Sequence, residues 1–185
     1  MLMIGDSLMK GYWRNAPATN EIFVEQSDGR WMRTGDIAYV NNKGYFFIVD
    51  RMKELIKVKG NQVAPAELEA LLLEHPAVQD ACVVGVVIKG EEVPRAYVVP
   101  QQGKGGGELE GEIQKWFRER TSRFKWLVGG IGFVEAIPKN PVCLLPFLLL
   151  AVPANETKSG KILRKIMREK AKAEVGDKDH VQAKL

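Results

Sequence analysis

Residues 50–76 read DRMKELIKVKGNQVAPAELEALLLEHP, and the fold is decided there. Asp50 to Lys59 is a charged stretch with alternating apolar positions, and Gly60-Asn61 stops it, which predicts a boundary leading into a small hairpin. Arg51, Lys53, Lys57 and Lys59 alternate so that the four cations share one side of an extended strand. Such a row suits a phosphate-bearing ligand or simple solvation. Pro65 sits where a first helical position tolerates a missing N–H. Leu68, Leu71, Leu72 and His75 follow at helical spacing, and Pro76 ends the element. Glu67 and Glu69 are read as first-turn carboxylates that favour the helix dipole.

Working downstream, Val78 to Ile88 and Val93 to Val99 predict buried strands. Glu108 to Arg120 predicts an amphipathic helix through Leu109, Ile113, Trp116 and Phe117, Gly132 to Ile137 a third strand, and Lys161 to Ala173 a basic helix with Ile162, Leu163, Ile166 and Met167 on one face. Upstream, residues 1–49 read as short strands and turns. Trp31 to Val40 and Tyr45 to Val49 form a hairpin around Asn41-Asn42-Lys43-Gly44. The resulting order is an α+β class, a short sheet flanked by helices and preceded by a β-rich segment.

Composition excludes several alternatives. The 185 residues are 45% apolar and 27% charged, as in globular proteins. The net charge of +4 comes from interspersed signs and gives no nucleic-acid footprint. Cys82 and Cys143 are too few for a disulfide framework or a zinc cluster, and a reducing compartment fits. The longest apolar run, Pro141 to Ala154, holds three prolines in 14 residues, short of the ~20 that a membrane span needs. The N-terminus lacks a basic head and apolar core, so no secretory signal is expected.

Few residues carry chemistry by themselves. Asp36 after Gly35 could accept both hydrogen bonds from vicinal hydroxyls such as a ribose, or satisfy its own turn. His75 and His180 have no ligand partner at helical spacing. Gly103 to Gly107 lacks the spacing of a phosphate loop and reads as a flexible turn.

Taken together the motifs say more. Tyr12-Trp13, Thr34-Gly35-Asp36, the run Asp50 to Glu69, Val93 to Val99, Ile137-Pro138-Lys139-Asn140-Pro141 and Ser159-Gly160-Lys161-Ile162-Leu163-Arg164-Lys165 occur in an order that resembles the C-terminal portion of adenylate-forming enzymes, closest to 4-coumarate–CoA ligases and beetle luciferases. The resemblance implies a small mobile C-terminal domain over residues 50–175, preceded at 1–49 by the β-rich end of a large N-terminal domain and followed at 176–185 by a disordered tail. It implies an ATP-dependent acyl- or aryl-CoA ligase that joins a small-molecule carboxylic acid to AMP and then to coenzyme A. ATP and coenzyme A would be co-substrates, and Mg²⁺ would bind through the N-terminal domain. In that scheme Asp36, Arg51 and Lys53 bind the nucleotide, Asp50 is the hinge, and Lys161 stabilises charge developing between carboxylate and α-phosphate. Lys57 and Gln62 approach the adenylate in a second pose, and Lys59-Gly60 lines the coenzyme A path. The phosphate loop and acid pocket of that family have no counterpart in this sequence, so the chain is expected to be inactive alone. The alternatives are a stand-alone, non-catalytic module that docks on a separate adenylating domain or carrier protein and, further off, luciferase activity.

The final motif departs from the family pattern. Val142 to Lys158, 17 residues, interrupts Pro-Lys-Asn-Pro-Ser-Gly-Lys after Pro141. Loop entropy from such a lengthening costs only about 1.2 kcal/mol. The segment corresponds to an in-frame 51 nucleotides, Val codons begin with GT, a Lys codon can end in AG, and Ala154-Asn155 can encode a branch site. The reading is a retained intron. An apolar loop that anchors to a partner or membrane surface is the alternative. The last residues, Ala183-Lys184-Leu185, are close to the Ser-Lys-Leu address and point to a peroxisomal import receptor, with a cytoplasmic location if the signal is not used. A fluorescent protein ending in these residues is expected to collect in peroxisomes; a uniform cytosolic signal would remove the targeting assignment.

Overall fold

The computed structural model describes residues 1–101, 106–140 and 160–182, which divide into two compact units, Met1–Glu54 and Leu55–Leu185. In the first unit, β1 (Leu2–Met3), β3 (Gly29–Arg33) and β2 (Phe23–Gln26) form a sheet in that order, and β4 (Asp36–Val40) pairs antiparallel with β5 (Phe46–Arg51). The strand expected over Trp31 to Val40 is therefore two strands in different sheets. Gly35, at φ +76°, turns the chain between them. A helix that the sequence reading missed, α1 (Ala16–Ile22), follows Asn15, whose Oδ1 accepts from the Ala18 N–H at 3.1 Å. Pro17 fits because it falls in the first turn.

The second unit is built on one long ladder. β8 (Val78–Ile88) and β9 (Glu91–Pro100) pair antiparallel, and β10 (Ile131–Phe133) lies parallel on the far side of β9, so β8 has an open edge. Side-chain alternation gives the sheet two buried faces. On one, Ala81, Val83, Ala96 and Val98 meet α2 (Pro65–Leu73), α3 (Gly107–Arg120) and the hairpin of β6 (Ile56–Val58) and β7 (Asn61–Val63). On the other, Cys82, Val84, Tyr97 and Val99 meet Ile137, Ile162 and α4 (Arg164–Gln182). Burying side chains such as Leu72, Ile113 and Phe117, each at most 1% exposed, stabilises the domain by roughly 1.5–3 kcal/mol apiece. The α+β expectation of a short sheet flanked by helices agrees with this arrangement.

The expected boundaries shift at three places. The predicted row of four cations on one strand does not exist. β5 ends at Arg51, Lys53 lies in a turn over Met52–Glu54 that Glu54 N–H closes on Arg51 O at 2.9 Å, and of the four only Lys57 falls in β6. The third strand stops at Phe133 rather than Ile137. The last helix starts at Arg164 rather than Lys161, because Lys161–Leu163 is held extended: Ile162 bridges Lys139, and Leu163 N–H donates to Pro138 O at 2.9 Å.

A buried polar knot fastens α4 to the sheet. Arg95, 7% exposed, donates from Nη1 to Gly129 O (2.6 Å), from Nε to Tyr97 Oη (3.2 Å) and from Nη2 to Glu174 Oε2 (2.6 Å); Tyr97 Oη donates to the same carboxylate at 2.8 Å. Burial pushes the Tyr97 hydroxyl up to about 12, so it remains a donor. Burial also raises the Glu174 carboxyl, but the Tyr97 and Arg95 donors outweigh this and hold it below its ordinary value. A depressed carboxylate contributes stability above its unfolded pKa and loses it as pH falls through the folded one. Glu174→Gln is expected to cost about 2 kcal/mol at pH 7. The gap to the parent chain should close in acid, as denaturant midpoints measured from pH 7 down to pH 2 would show.

Candidate functional site

Three clusters hold the residues singled out by the sequence. In the first unit, Asp36 and Arg51 are cross-strand partners of β4 and β5, and Arg51 Nε lies 3.6 Å from Asp36 Oδ1. The Thr34 hydroxyl accepts from the Asp36 N–H at 3.1 Å, so the turn as well as the ion pair fixes this carboxylate. Asp50, the residue before Arg51, is buried, and its Oδ1 accepts from the Arg51 N–H at 2.7 Å. A register shift opposite Ile37 and Ala38 makes Val49 the extra residue of a bulge. Lys53 is exposed in the turn that follows.

The second cluster is the β6–β7 hairpin. Ile56, Val58 and Val63 point into the core, so the pleat sends Lys57 and Gln62 outward as directly paired neighbours. Its two-residue turn is Lys59-Gly60, with φ of +48° and +85°, the left-handed pair that a tight hairpin requires. Lys59 Nζ lies 3.5 Å from Glu91 Oε2. Glu92, which the sequence reading passed over, accepts from the Lys57 N–H at 2.9 Å through its Oε2. Its side chain crosses Gly85, where a Cβ would collide with it. Glu92 pairs with Val87, so its side chain reaches Gly85 diagonally, two residues along the partner strand.

The third cluster is the strap around Lys161. Asn140 N–H donates to Lys161 O at 2.9 Å, so residues 138–140 and 161–163 form a short antiparallel pair. Gly160 passes so close to the Asn140 carbonyl that a side chain could not be accommodated. Lys139 Nζ, 2.6 Å from Asp80 Oδ2, ties the first limb to the start of β8. The Lys161 ammonium is exposed and, among the described residues, has no hydrogen bond or ion pair.

The hairpin with Lys57 and Gln62 rests on one face of the sheet, and the strap with Lys161 is anchored through Ile162 on the other. One expectation changes. Glu69 is no first-turn carboxylate: it is buried, and its Oε1 accepts from the Val83 N–H at 2.8 Å. His75 is 3% exposed; its Nδ1 accepts from the Ala77 N–H, and its ring meets Trp116 edge-on. Cys82 is fully buried, and burial pushes its thiol up to about 12, so it supplies no nucleophile. Among the described residues no three His, Cys, Asp or Glu side chains converge as a metal site would need.

The family profile described as the AMP-binding enzyme C-terminal domain matches residues 67–142. Over 167 residues the chain is 46% identical to a probable 4-coumarate–CoA ligase 3 of Dictyostelium discoideum, covering 89% of this chain and 26% of the relative. It is 43% identical to a luciferin 4-monooxygenase of Photuris pensylvanica, again covering 89% and 26%. A crystal structure of the anthranilate CoA ligase AuaEII in complex with anthranoyl-AMP superposes with a TM-score of 0.70 at 27% identity, covering 92% of this chain and 28% of that one. The chain thus spans about a quarter of the length of the curated relatives it matches.

Val142 to Lys158 lie outside the described residues, but the limbs that flank them are paired. Without those residues, Asn140 and Lys161 would be joined by Pro141, Ser159 and Gly160, a three-residue loop of the kind common in hairpins. Deleting 142–158 is expected to preserve the cooperative thermal transition and raise its midpoint by about 2–4 °C; a lower midpoint would mean that the segment contributes to the fold.

Proposed function

We propose, from the premise that this chain belongs to the AMP-binding enzyme C-terminal domain family, that it is the mobile C-terminal part of an ATP-dependent acyl- or aryl-CoA ligase. The observation that carries the reading is the placement of Lys57 and Lys161 on elements packed against opposite faces of one sheet. A rigid body of this kind cannot offer both ammonium groups to one reaction centre at once. It can do so in turn, by rotating.

In the first pose Lys161 stabilises the charge that develops as the carboxylate attacks the α-phosphate of ATP, forming acyl-AMP and releasing pyrophosphate. Its ammonium is exposed and has no hydrogen bond or ion pair among the described residues, which suits the role. In the second pose Lys57 and Gln62 meet the adenylate, and Lys59-Gly60, without a side chain at its second position, leaves room for the thiol arm of coenzyme A. The thiolate attacks the acyl carbon, AMP departs, and the thioester forms. Asp36, Arg51 and Lys53 hold the nucleotide ribose and phosphate, and Asp50 is the hinge between residues 1–49, the end of the larger adenylating domain, and residues 50–175. Mg²⁺ would bind through that larger domain, and no step of this chain's residues runs through it.

Other features support the same reading. Phe46, Phe47 and Ile48 expose an apolar edge that a larger domain would cover. The paired limbs on either side of 142–158 favour a retained intron over a functional loop, because the motif closes without it. Relatives such as the probable 4-coumarate–CoA ligase 3 of Dictyostelium discoideum are ligases, so a stand-alone docking module is not favoured. Among the described residues no helix is long and apolar enough to cross a membrane. Ala183-Lys184-Leu185, outside the described residues, would direct the enzyme to the peroxisome through its import receptor.

In the complete ligase, Lys161→Ala is expected to lower acid-dependent pyrophosphate exchange by about 10²-fold or more while sparing thioester formation from a supplied acyl-adenylate. Lys57→Ala is expected to do the reverse. Equal losses of both steps in both variants would overturn the two-pose reading.

A further inference from the structure

The open edge of β8 is closed at one residue by two charged side chains from different faces of the sheet. Val83 is opposite Ala96 in the ladder, and its N–H and C=O both point away from β9. Glu69 of α2 accepts from the N–H at 2.8 Å, and Arg164, the first residue of α4, donates to the C=O at 3.3 Å. Arg164 Nη2 also donates to Glu69 Oε2 at 2.8 Å and its Nη1 to Glu69 Oε1, a two-point pairing with side chains only 14% and 10% exposed. This clamp joins residues 95 positions apart. It holds Arg164 three residues beyond Lys161, where the extended strap turns into the helix.

We propose that Glu69 and Arg164 are positioning residues for Lys161. The inference rests on the adenylation role assigned above and adds the part of the molecule that aims this lysine. The Lys161 side chain has no hydrogen bond or ion pair among the described residues, so its placement depends on its backbone. Asn140 fixes one side of that backbone through the Lys161 carbonyl. The clamp fixes the other, and through Glu69 it ties the strap to α2 on the opposite face. A planar guanidinium is needed because one group must span two carboxylate oxygens and a carbonyl; an ammonium of equal charge cannot make the same fork. Small errors in the placement of a reacting group are costly in rate, so an intact but loosened strap loses chemistry before it loses fold.

The test compares the parent, Arg164→Lys, Glu69→Gln and Lys161→Ala. In the complete ligase, Arg164→Lys is expected to lower kcat for adenylation by about 10–100-fold with KM for ATP within about twofold, and to leave thioester formation from supplied acyl-adenylate within about twofold. Equal losses in both half-reactions would make the clamp a purely structural feature and overturn the proposal, as would an unchanged adenylation rate. Amide hydrogen exchange on the 185-residue chain needs no activity. In Arg164→Lys, and in Glu69→Gln where it folds, protection should fall at Asn140 and Leu163 while the amides of β9 keep theirs. Retained protection at both amides would sink the proposal even if Lys161→Ala behaves as expected. Adenylation that survives Lys161→Ala would instead sink the catalytic assignment, and exchange would still report whether the clamp holds the strap.

Discussion

Both lysine-bearing elements of the second unit hang on the ladder between β8 and β9, because a two-sided sheet gives one chain two separate packing faces. Odd positions of β8, Ala81 and Val83, bury against α2, α3 and the hairpin; even ones, Cys82 and Val84, bury against α4 and the strap. Each face then holds a lysine-bearing element by apolar packing, which backbone and side-chain hydrogen bonds complete, with the charged tips left in water. A shift of one residue in the register would exchange the two faces and place both lysines wrongly, so the register is under the strongest constraint in the fold.

Such a sheet has a weakness at its edge, where unpaired backbone groups invite either water or another strand. Here the outward groups of Val83 are satisfied by Glu69 and Arg164. Buried ion pairs contribute little net stability once desolvation is counted, and their clearest uses are geometric. The Arg95–Tyr97–Glu174 knot does the same for α4, fastening it to β9 where apolar contacts would allow it to slide. One polar fastener sets the start of that helix, and the other holds its body.

The first unit follows a different logic. Its strands are short and its apolar residues largely open, with Tyr39 stacked on Phe47 at 5.0 Å as a local substitute for a core. What it fixes well is the Asp36–Arg51 pair and the turn after it, held by backbone hydrogen bonds and by the left-handed Gly35. That is enough to present one carboxylate and one guanidinium side by side.

Periodicity and turn chemistry revealed the α+β class, a small hairpin near Gly60-Asn61, helix α2 and the long strands, because these depend on local preference and one-sided burial. The motif order carried the resemblance to adenylate-forming enzymes and nominated Lys57, Gln62, Lys59, Gly60 and Lys161. Local reading failed where long-range contacts decide: the break at Gly35, the extended Lys161–Leu163 that delays α4, and Glu69, which looks like a dipole partner and is an edge clamp. No pattern in a linear chain can show that Glu69 and Arg164 meet, since the reason is the exposed edge of Val83, a group that exists only once β8 and β9 have paired. The chemistry available to this protein was written in its residue types; which lysine faces which way was decided by the sheet that separates them.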